Sequence, residues 1–372
     1  MKQIPADKKF YPVLQPFAFL YGIVILIRNL LFDWHLLPSE KYSIPVICVG
    51  NIAVGGTGKT PLVEFLIRLL SDKYRIAVLS RGYKRKSSGF VLADEKSTAL
   101  DIGDEACQLK FKFPEVVVAV DKNRRRGMRN LLAMPENVRP QVVLLDDGFQ
   151  HRYIKPSFSI LTTDYNRLFY KDKLLPVGRL RETEKSVSRT DLLLICKFPE
   201  NYKDMDVVDV WLETLHLIPS PRLFFSGIKY MPPECVFLNE CNPCKLEDIR
   251  KDDDILLVTG IANPTPLIEE IKKYSDKVSV IAFADHHAFT KKDIRTIQSV
   301  LSKRKSDNLL IICTEKDAAR IRTNPYFPNE WKSRMFYIPI KIHFFRDEQQ
   351  KLFEKRIIRH ISSITERCKD IK

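Results

Sequence analysis

The sequence lacks an uninterrupted apolar run long enough to cross a bilayer. The longest run, Phe17 to Ile27, has about half of the ~20 residues that a spanning helix needs. Arg28, Asn29 and Asp33 end it, and because no small-residue cleavage site follows, we do not predict a secretory signal. We predict a helix that lies in the membrane interface, after basic residues suited to anionic lipid. A buried first helix and a single membrane span are the alternatives.

The chain has eight cysteines but no second pair of metal ligands at zinc-finger spacing. Three cysteines lie inside apolar segments, which is typical of buried, reduced thiols in a cytosolic protein: Cys48, Cys196 and Cys313. Cys241 and Cys244 form a C-x-x-C pair with Cys235 nearby, an arrangement that would also suit zinc or redox chemistry. We predict free thiols.

Internal repeats and low-complexity tracts are absent as well, and 45% hydrophobic with 29% charged residues indicates a globular chain. The 372 residues leave room for two domains. Subtracting 46 acidic from 61 basic residues leaves a net charge of +15, which favours an anionic partner. Nucleic acid is not favoured, because no platform of interleaved aromatic and basic residues is evident. Clusters such as Arg124-Arg125-Arg126 are interpreted as solvated surface.

From residue 43 onward, apolar strands alternate with helical segments. We predict strands at 44–49, 75–80, 115–120, 141–146, 157–162, 191–196, 254–259, 278–284, 308–313 and 335–340. Nearly continuous apolarity is typical of parallel strands that are covered on both faces, so the fold class is α/β. The predicted domains are an N-terminal segment with the interfacial helix (1–40), a larger lobe (41–221), a β-hairpin linker (222–240) and a smaller α/β lobe with a terminal helix (241–372).

The first strand runs into a glycine-rich loop that has the order of a phosphate-binding site. Strand, glycine loop, Lys-Thr and helix is the order that lets backbone N–H groups and a helix N-terminus meet phosphates. The predicted ATP-binding residues are Gly55, Gly56, Thr57, Gly58, Lys59, Thr60 and Pro61. Lys59 would reach the β- and γ-phosphates, and the Thr60 hydroxyl would bind Mg²⁺. The first glycine of the P-loop pattern is replaced by Ala53, so an ordinary glycine-rich turn is the alternative.

Polar segments follow the carboxyl ends of other strands, where α/β proteins bind their ligands. The fourth strand ends in Asp146-Asp147-Gly148-Phe149-Gln150-His151, and a strand-terminal aspartate is typical of the Walker B magnesium site. Either aspartate would serve, and a simple turn is the alternative. Other such segments are Ser80-Arg81-Gly82-Tyr83, Gly103-Asp104-Glu105, the loop 174–182 with Arg179 and Arg181, the Asp285-His286-His287 segment, and Thr314 to Arg320. The last would border the nucleotide or merely cap a helix.

Together these motifs resemble the tetraacyldisaccharide 4'-kinase (lipid A 4'-kinase) family. The resemblance rests on GNIAVGGTGKTP, SRGY, GDE, DDGFQH, LLPVGRLRE, ADHHAF and TEKDAAR, which occur in the family order over nearly the whole chain. Ala106 and Arg179 replace prolines that are usual in the family. The resemblance implies two α/β/α lobes with a two-stranded linker and an active site in the cleft. It also implies ATP and Mg²⁺, and transfer of the γ-phosphate to the 4'-hydroxyl of tetraacyldisaccharide 1-phosphate in lipid A biosynthesis.

Roles for individual residues follow from the resemblance. Asp104 would take the proton from the 4'-hydroxyl and pair with His286, for which His287 is the competitor, and Lys59 would neutralise phosphate charge. Metal ligands would come from Thr60, Asp146, Asp147 and Glu105. Substrate contacts are expected from Arg81, Tyr83, Gln150, His151 and Arg181. We expect a monomer, peripheral on the cytoplasmic face of the inner membrane, that does not bind nucleic acid. The alternative function is a membrane-recruited P-loop ATPase switch.

Overall fold

The computed structural model describes residues 11–199, 222–238, 240–241, 248–304 and 309–369. Most of the basic segment 1–13, most of the composition break at 198–222, and Cys244 lie outside the described residues. The chain divides into two compact units. The first contains Met1–Arg81, Asn123–Ile228 and Ile342–Lys372, and the second contains Gly82–Lys122 and Lys229–Lys341. The boundaries proposed from sequence differ from this division in two places: residues 82–122 fall in the second unit, and Ile342–Lys372, with the terminal helix, fall in the first. The proposed domain boundaries stay a prediction.

The first unit is built on a mostly parallel sheet. Its strands are β1 (Val46–Gly50), β2 (Ile76–Ser80), β5 (Val142–Asp146), β6 (Phe158–Asp164), β7 (Leu192–Cys196), β8 (Leu223–Tyr230) and β14 (Ile340–Phe344). They lie side by side in the order β14-β8-β7-β6-β1-β5-β2. β1 pairs in parallel with both β5 and β6, which places it inside the sheet. Because every residue of β1, β2, β5 and β7 is buried, the apolar strand pattern predicted this sheet well.

The helices of the first unit are α1 (Tyr11–Asp33), α2 (Lys59–Leu70), α5 (Arg124–Leu132) and α10 (Asp347–Lys369). α2 presents Leu62, Leu66 and Leu70 at helical spacing, and all three are fully buried. Burying each such side chain contributes about 1.5–3 kcal/mol. α10 buries Phe353, which packs edge-on against Phe65 of α2. Short 3₁₀ helices occur at Phe169–Lys171 and Glu184–Arg189.

The second unit has its own sheet, whose strands are β9 (Glu234–Cys235), β10 (Asp254–Thr259), β11 (Lys277–Ala282), β12 (Leu309–Thr314) and β13 (Met335–Ile338). Their order is β11-β10-β12-β13-β9, and only β9 is antiparallel. The unit also contains the antiparallel pair β3 (Val91–Leu92) and β4 (Val117–Val120). Its helices are α3 (Ala99–Ile102), α4 (Asp104–Lys112), α6 (Thr265–Ile271), α7 (Lys291–Leu301), α8 (Glu315–Ile321) and α9 (Asn329–Lys332).

The α/β class and the predicted strands are confirmed, with shifts of a few residues at strand ends. The two strands expected in residues 222–240 are present, but each belongs to a different sheet: β8 pairs with β7 and β9 with β13. A hydrophobic pattern indicates that a strand forms, whereas its partner depends on tertiary packing.

Cys235 and Cys241 form a disulfide, so the prediction of free thiols is wrong for this pair. Their Cα atoms are 6.0 Å apart, within the range that a disulfide bridges. The buried cysteines at 48, 107, 196 and 313 are free thiols.

Candidate active site

The phosphate loop lies between β1 and α2, at the carboxyl end of the central strand. Gly58 has a φ of 93°, and a Cβ there would lie 2.7 Å from Cys196 Sγ, so only glycine fits this position. Thr57 Oγ1 accepts a hydrogen bond from Asn51 Nδ2 at 2.8 Å, which fixes the loop from inside. Ala53, which replaces the pattern's first glycine, forms an isolated β-bridge with Leu180. The loop is thus held by its own buried contacts.

Lys59, at the start of α2, lies beside the aspartate pair that follows β5. Its Nζ is 3.6 Å from Asp147 Oδ1. Arg181 Nη1 donates to both oxygens of Asp147, at 3.0 and 2.9 Å. Burial alone would raise the pKa of the Asp147 carboxyl, but the charges of Lys59 and Arg181 outweigh it and hold that pKa below its ordinary value. Asp147 therefore stays ionised between two cations at neutral pH.

Asp146 lies one residue earlier, with 2% of its surface exposed, and aligns with Val49 of β1. Next to it is Arg124, whose Nη2 donates to the Asp146 carbonyl at 3.4 Å. Arg124 is 3% exposed, so the interpretation of this basic cluster as solvated surface is wrong for it. Burial lowers the pKa of Arg124 to about 10, against the opposing charges of Asp146 and Asp147. It is a functional candidate to which the sequence reasoning assigned no role.

Gln150 and His151 complete the segment after β5. Gln150 Nε2 donates to the Asn51 carbonyl at 2.7 Å, and Arg181 donates to Gln150 Oε1 at 3.3 Å. His151 is half-buried against Tyr153, with the ring centroids 5.6 Å apart. Burial lowers the pKa of His151 to about 4, so its imidazole is neutral at physiological pH.

Lys197 is a second candidate that sequence reasoning missed. It follows β7, and its Nζ donates to Asp164 Oδ2 at 2.7 Å and to the Gly56 carbonyl of the phosphate loop. Asp164 ends the neighbouring strand β6. A lysine after an apolar strand is an ordinary sequence feature, and its partners are more than 30 and 140 positions away. No local pattern could have revealed this contact.

The N-terminal helix α1 contacts the same region of the first unit through polar side chains. Tyr21 Oη donates to the Arg181 carbonyl at 2.9 Å, Arg28 Nη2 to the Gln150 carbonyl at 2.6 Å, and Asn29 Nδ2 to Glu182 Oε2 at 3.2 Å. Its other side chains include exposed apolar residues: Val13, Phe17, Phe19, Leu20, Val24, Leu26 and Ile27. α1 is therefore fixed along one side and apolar where it is exposed.

Within the described residues, one helix is long and apolar enough to cross a membrane by length and composition. It covers Val13–Asp33, and an apolar window of 18 residues within it contains no buried residue. The helix continues beyond the apolar run that the sequence showed, so its length suits a span as well as an interfacial position. The choice between the two stays a prediction.

A second cluster of candidate residues lies in the other unit, around the N-terminus of α4. His286 Nδ1 is 2.6 Å from Asp104 Oδ2, and Arg320 Nη2 donates to the same oxygen. Asp104 is 6% exposed. Burial alone would raise its pKa, but the hydrogen bond from His286 and the charges of Arg320 and Lys316 outweigh burial and hold the pKa well below the ordinary value. Asp104 is an ionised, buried carboxylate.

The backbone around this pair is unusual. Gly103, which precedes Asp104, has a φ of 88°, and a Cβ there would lie 2.9 Å from the Tyr83 carbonyl. His286 has a φ of 57°, which is uncommon for a residue with a side chain. Strained residues of this kind cluster at functional sites. Tyr83, 55% exposed, places its ring edge-on to His286 at 5.1 Å between centroids.

His287 has different partners from those of His286. Its Nε2 is 2.9 Å from Asp293 Oδ2, and its ring stacks on Phe283 at 4.7 Å. Asp293 belongs to the capping box that starts α7. The structure thus brings His286, and not His287, to Asp104.

Glu105, expected on the metal side, accepts a hydrogen bond from Lys316 Nζ at 2.6 Å within the second unit. Thr60, Asp146 and Asp147 belong to the first unit. The described residues contain no group of three or more His, Cys, Asp or Glu that would hold a metal ion by themselves. Arg81, at the end of the first stretch of the first unit, is exposed.

A glycine loop before a helix, a lysine at the helix start and an aspartate pair at a neighbouring strand end define a P-loop nucleotide-binding α/β protein. The chain belongs to the tetraacyldisaccharide-1-P 4'-kinase family: the model of that family, LpxK, matches residues 10–361. The resemblance seen in the motifs is thereby confirmed, and the protein is a kinase.

Relatives of this name are similar over almost their whole length. Tetraacyldisaccharide 4'-kinase of Parabacteroides distasonis is 50% identical over 355 residues, which cover 95% of this chain and 96% of that protein. The protein of the same name from Bacteroides thetaiotaomicron is 45% identical, with 96% and 95% covered. Among solved structures, LpxK from Aquifex aeolicus in complex with ATP has a TM-score of 0.72 at 27% identity, covering 95% of this chain and 99% of that one.

Proposed function

We propose that the protein transfers the γ-phosphate of ATP to the 4'-hydroxyl of a tetraacyldisaccharide 1-phosphate, a step in lipid A biosynthesis. The observation that carries this proposal is the buried contact between Asp104 and His286. A nucleotide switch needs a P-loop but has no use for an additional acid–base pair. The names of the relatives, which match nearly the whole chain, support the acceptor.

The nucleotide half of the reaction is assigned to the first unit. Backbone amides such as those of Gly55 to Gly58, together with the N-terminus of α2, stabilise a bound anion. Lys59 adds a positive charge at the same place. The Aquifex aeolicus structure, solved with ATP, supports this assignment. Groups in these positions would neutralise the negative charge of the β- and γ-phosphates. Such charge neutralisation provides much of the rate acceleration in phosphoryl transfer.

Mg²⁺ fits the donors present in the first unit. The Thr60 hydroxyl and the Asp146 and Asp147 carboxylates are hard oxygen ligands, and Mg²⁺ is usually held by one or two carboxylates, waters and substrate phosphates. A small protein donor set agrees with the lack of a larger ligand cluster among the described residues. When bound, the ion would supply positive charge to the phosphate oxygens. Glu105, which is paired with Lys316, is the weaker candidate.

The acceptor half is assigned to Asp104 and His286. In the proposed step the 4'-hydroxyl loses its proton to the Asp104 carboxylate. Its oxygen forms a bond to the γ-phosphorus while the bond from that phosphorus to the bridging oxygen breaks, and ADP leaves. His286 holds the carboxylate in place through Nδ1. Tyr83, exposed beside His286, and exposed Arg81 are the proposed sugar and phosphate contacts, whereas Gln150, His151 and Arg181 would act closer to the nucleotide.

The acyl chains of the acceptor require a membrane-bound enzyme. Each buried CH₂ group contributes about 0.8 kcal/mol, so such a lipid stays in the bilayer. The exposed apolar face of α1 suits insertion at that surface, and we place it at the cytoplasmic leaflet, where ATP is available. We propose a peripheral, monomeric enzyme.

The experiment is incubation of the purified protein with ATP, Mg²⁺ and detergent-dispersed disaccharide 1-phosphate lipid. Mass analysis should find one added phosphate on the distal sugar, and the Lys59→Ala variant should give none. Nucleotide hydrolysis at the same rate with and without lipid, with no phosphorylated lipid, would favour the alternative of an ATPase switch.

A further inference from the structure

Arg320, in the Thr314–Arg320 segment, connects Asp104 to two other elements of the second unit. Its Nη2 donates to Asp104 Oδ2 and lies 3.5 Å from His286 Nδ1. Its Nη1 donates to Asp317 Oδ1 at 2.8 Å and to the Gly260 carbonyl, at the end of β10, at 3.2 Å. The side chain is only 8% exposed. The Arg320 guanidinium therefore connects α4, α8 and the end of β10 around the buried Asp104 carboxylate.

Asp317 is itself held in place. It is fully buried, accepts from Gly260 N at 3.0 Å, and accepts from Thr314 Oγ1 at 2.7 Å. Its own N–H donates back to Thr314 Oγ1 at 3.2 Å, which caps α8. Because Asp317 cannot move without breaking these bonds, the guanidinium that it holds has a fixed direction. Capping the helix is therefore only part of what this segment does.

Arginine is suited to this place because its planar fork donates in several fixed directions at once. A lysine would keep the charge but would be a single point donor. Arg320 and His286 both contact Asp104 Oδ2. The guanidinium of Arg320 therefore fixes the orientation of the carboxylate relative to the imidazole of His286. Two charge-assisted hydrogen bonds to one oxygen are also strong enough to resist rotation of the carboxylate.

We propose that Arg320, held by Asp317, is a positioning residue for the kinase reaction: it orients the Asp104 carboxylate against His286 for contact with the acceptor hydroxyl. This inference rests on the role of Asp104 in the proposed function. It gives the Thr314–Arg320 segment a role in the acceptor half of the reaction rather than at the nucleotide.

The test compares the Arg320→Gln and Arg320→Lys variants in the full-length enzyme. For Arg320→Gln we expect kcat to fall on the order of 10- to 100-fold, because the Asp104 carboxylate would be misoriented toward the acceptor hydroxyl. The KM for ATP should not change. Arg320→Lys should also lower kcat, because a point donor does not replace the planar fork.

Arg295→Gln is the matched control, because this arginine is exposed on α7. It should leave kcat unchanged. Wild-type kcat in Arg320→Gln would overturn the inference. So would a low melting temperature in Arg320→Gln combined with wild-type kcat in Arg320→Lys, since the role would then be structural only. Wild-type turnover in Asp104→Ala would instead overturn the role of Asp104 in the proposed function.

Discussion

Asp104 Oδ2 and His286 Nδ1 are 2.6 Å apart, although the two residues are separated by 182 positions in the chain. Asp104 begins α4, and His286 lies in the loop that follows β11. The two side chains thus meet because the fold of the second unit brings a helix start and a strand end together. The proposed acid–base chemistry depends on this contact.

Asp104→Ala should abolish most turnover without unfolding the protein, and His286→Ala should slow turnover less, because it removes only the group that holds the carboxylate. General base catalysis typically contributes about 10²- to 10⁴-fold. Steady-state rates with saturating ATP and lipid measure both effects. A His286→Ala variant slower than Asp104→Ala would reverse the two roles.

His287→Ala should affect stability rather than turnover. It removes the hydrogen bond to Asp293 and the stacking on Phe283. Losing such a hydrogen bond costs about 0.5–1.5 kcal/mol. Thermal melts and rates measured on the same preparation separate the two effects. A rate loss in His287→Ala that matches the loss in His286→Ala, with an unchanged melting temperature, would contradict the assignment.

Lys59→Ala should lower kcat on the order of 100-fold or more, because it removes the ammonium group that would donate to the phosphate being transferred. Lys73→Ala, an exposed lysine shortly after α2, is the matched control and should behave as wild type. The assay is phosphate transfer at saturating ATP. Equal activity of the two variants would show that the glycine loop does not act as proposed.

Stability should depend on pH through Asp104. Its pKa is lowered in the folded protein, so ionised Asp104 adds stability above its unfolded pKa of about 4, and this contribution is lost as the pH falls through the folded pKa. The difference in the free energy of unfolding between wild type and Asp104→Asn should therefore shrink below about pH 4. Urea unfolding at several pH values measures this difference. A difference that grows on acidification would contradict the direction of the shift.

The exposed face of α1 should bind membranes. Replacing Phe19 and Leu20, which are 70% and 58% exposed, by aspartate should lower partition into anionic vesicles. Two buried apolar side chains contribute about 3–6 kcal/mol, so a loss of at least tenfold is expected. Vesicle flotation is the measurement, and Val138→Asp, at an exposed apolar site outside α1, is the control. Equal flotation of both variants would place the membrane contact elsewhere.

Local sequence patterns predicted most of the fold and the phosphate loop. Gly58 lies between β1 and α2, and Lys59 and Thr60 begin α2, as expected, because strand periodicity and glycine turns are encoded within a few residues. The segments around Asp104 and His286 were visible as motifs, but only the family resemblance paired them.

Contacts between distant positions were not predictable. Arg320 lies 216 positions from Asp104, and Lys197 lies 141 positions from Gly56. Burial of Arg124 was equally hidden, since a run of arginines gives no sign of which one turns inward. The sheet partners of β8 and β9 likewise depend on tertiary packing, which a strand pattern does not contain.

The most direct test follows the γ-phosphate itself. With ATP labelled at the γ-phosphate, Mg²⁺ and dispersed tetraacyldisaccharide 1-phosphate, the account predicts about one label on the distal sugar of the lipid for each ADP formed. ADP accompanied by labelled free phosphate, with no label in the lipid, would contradict it.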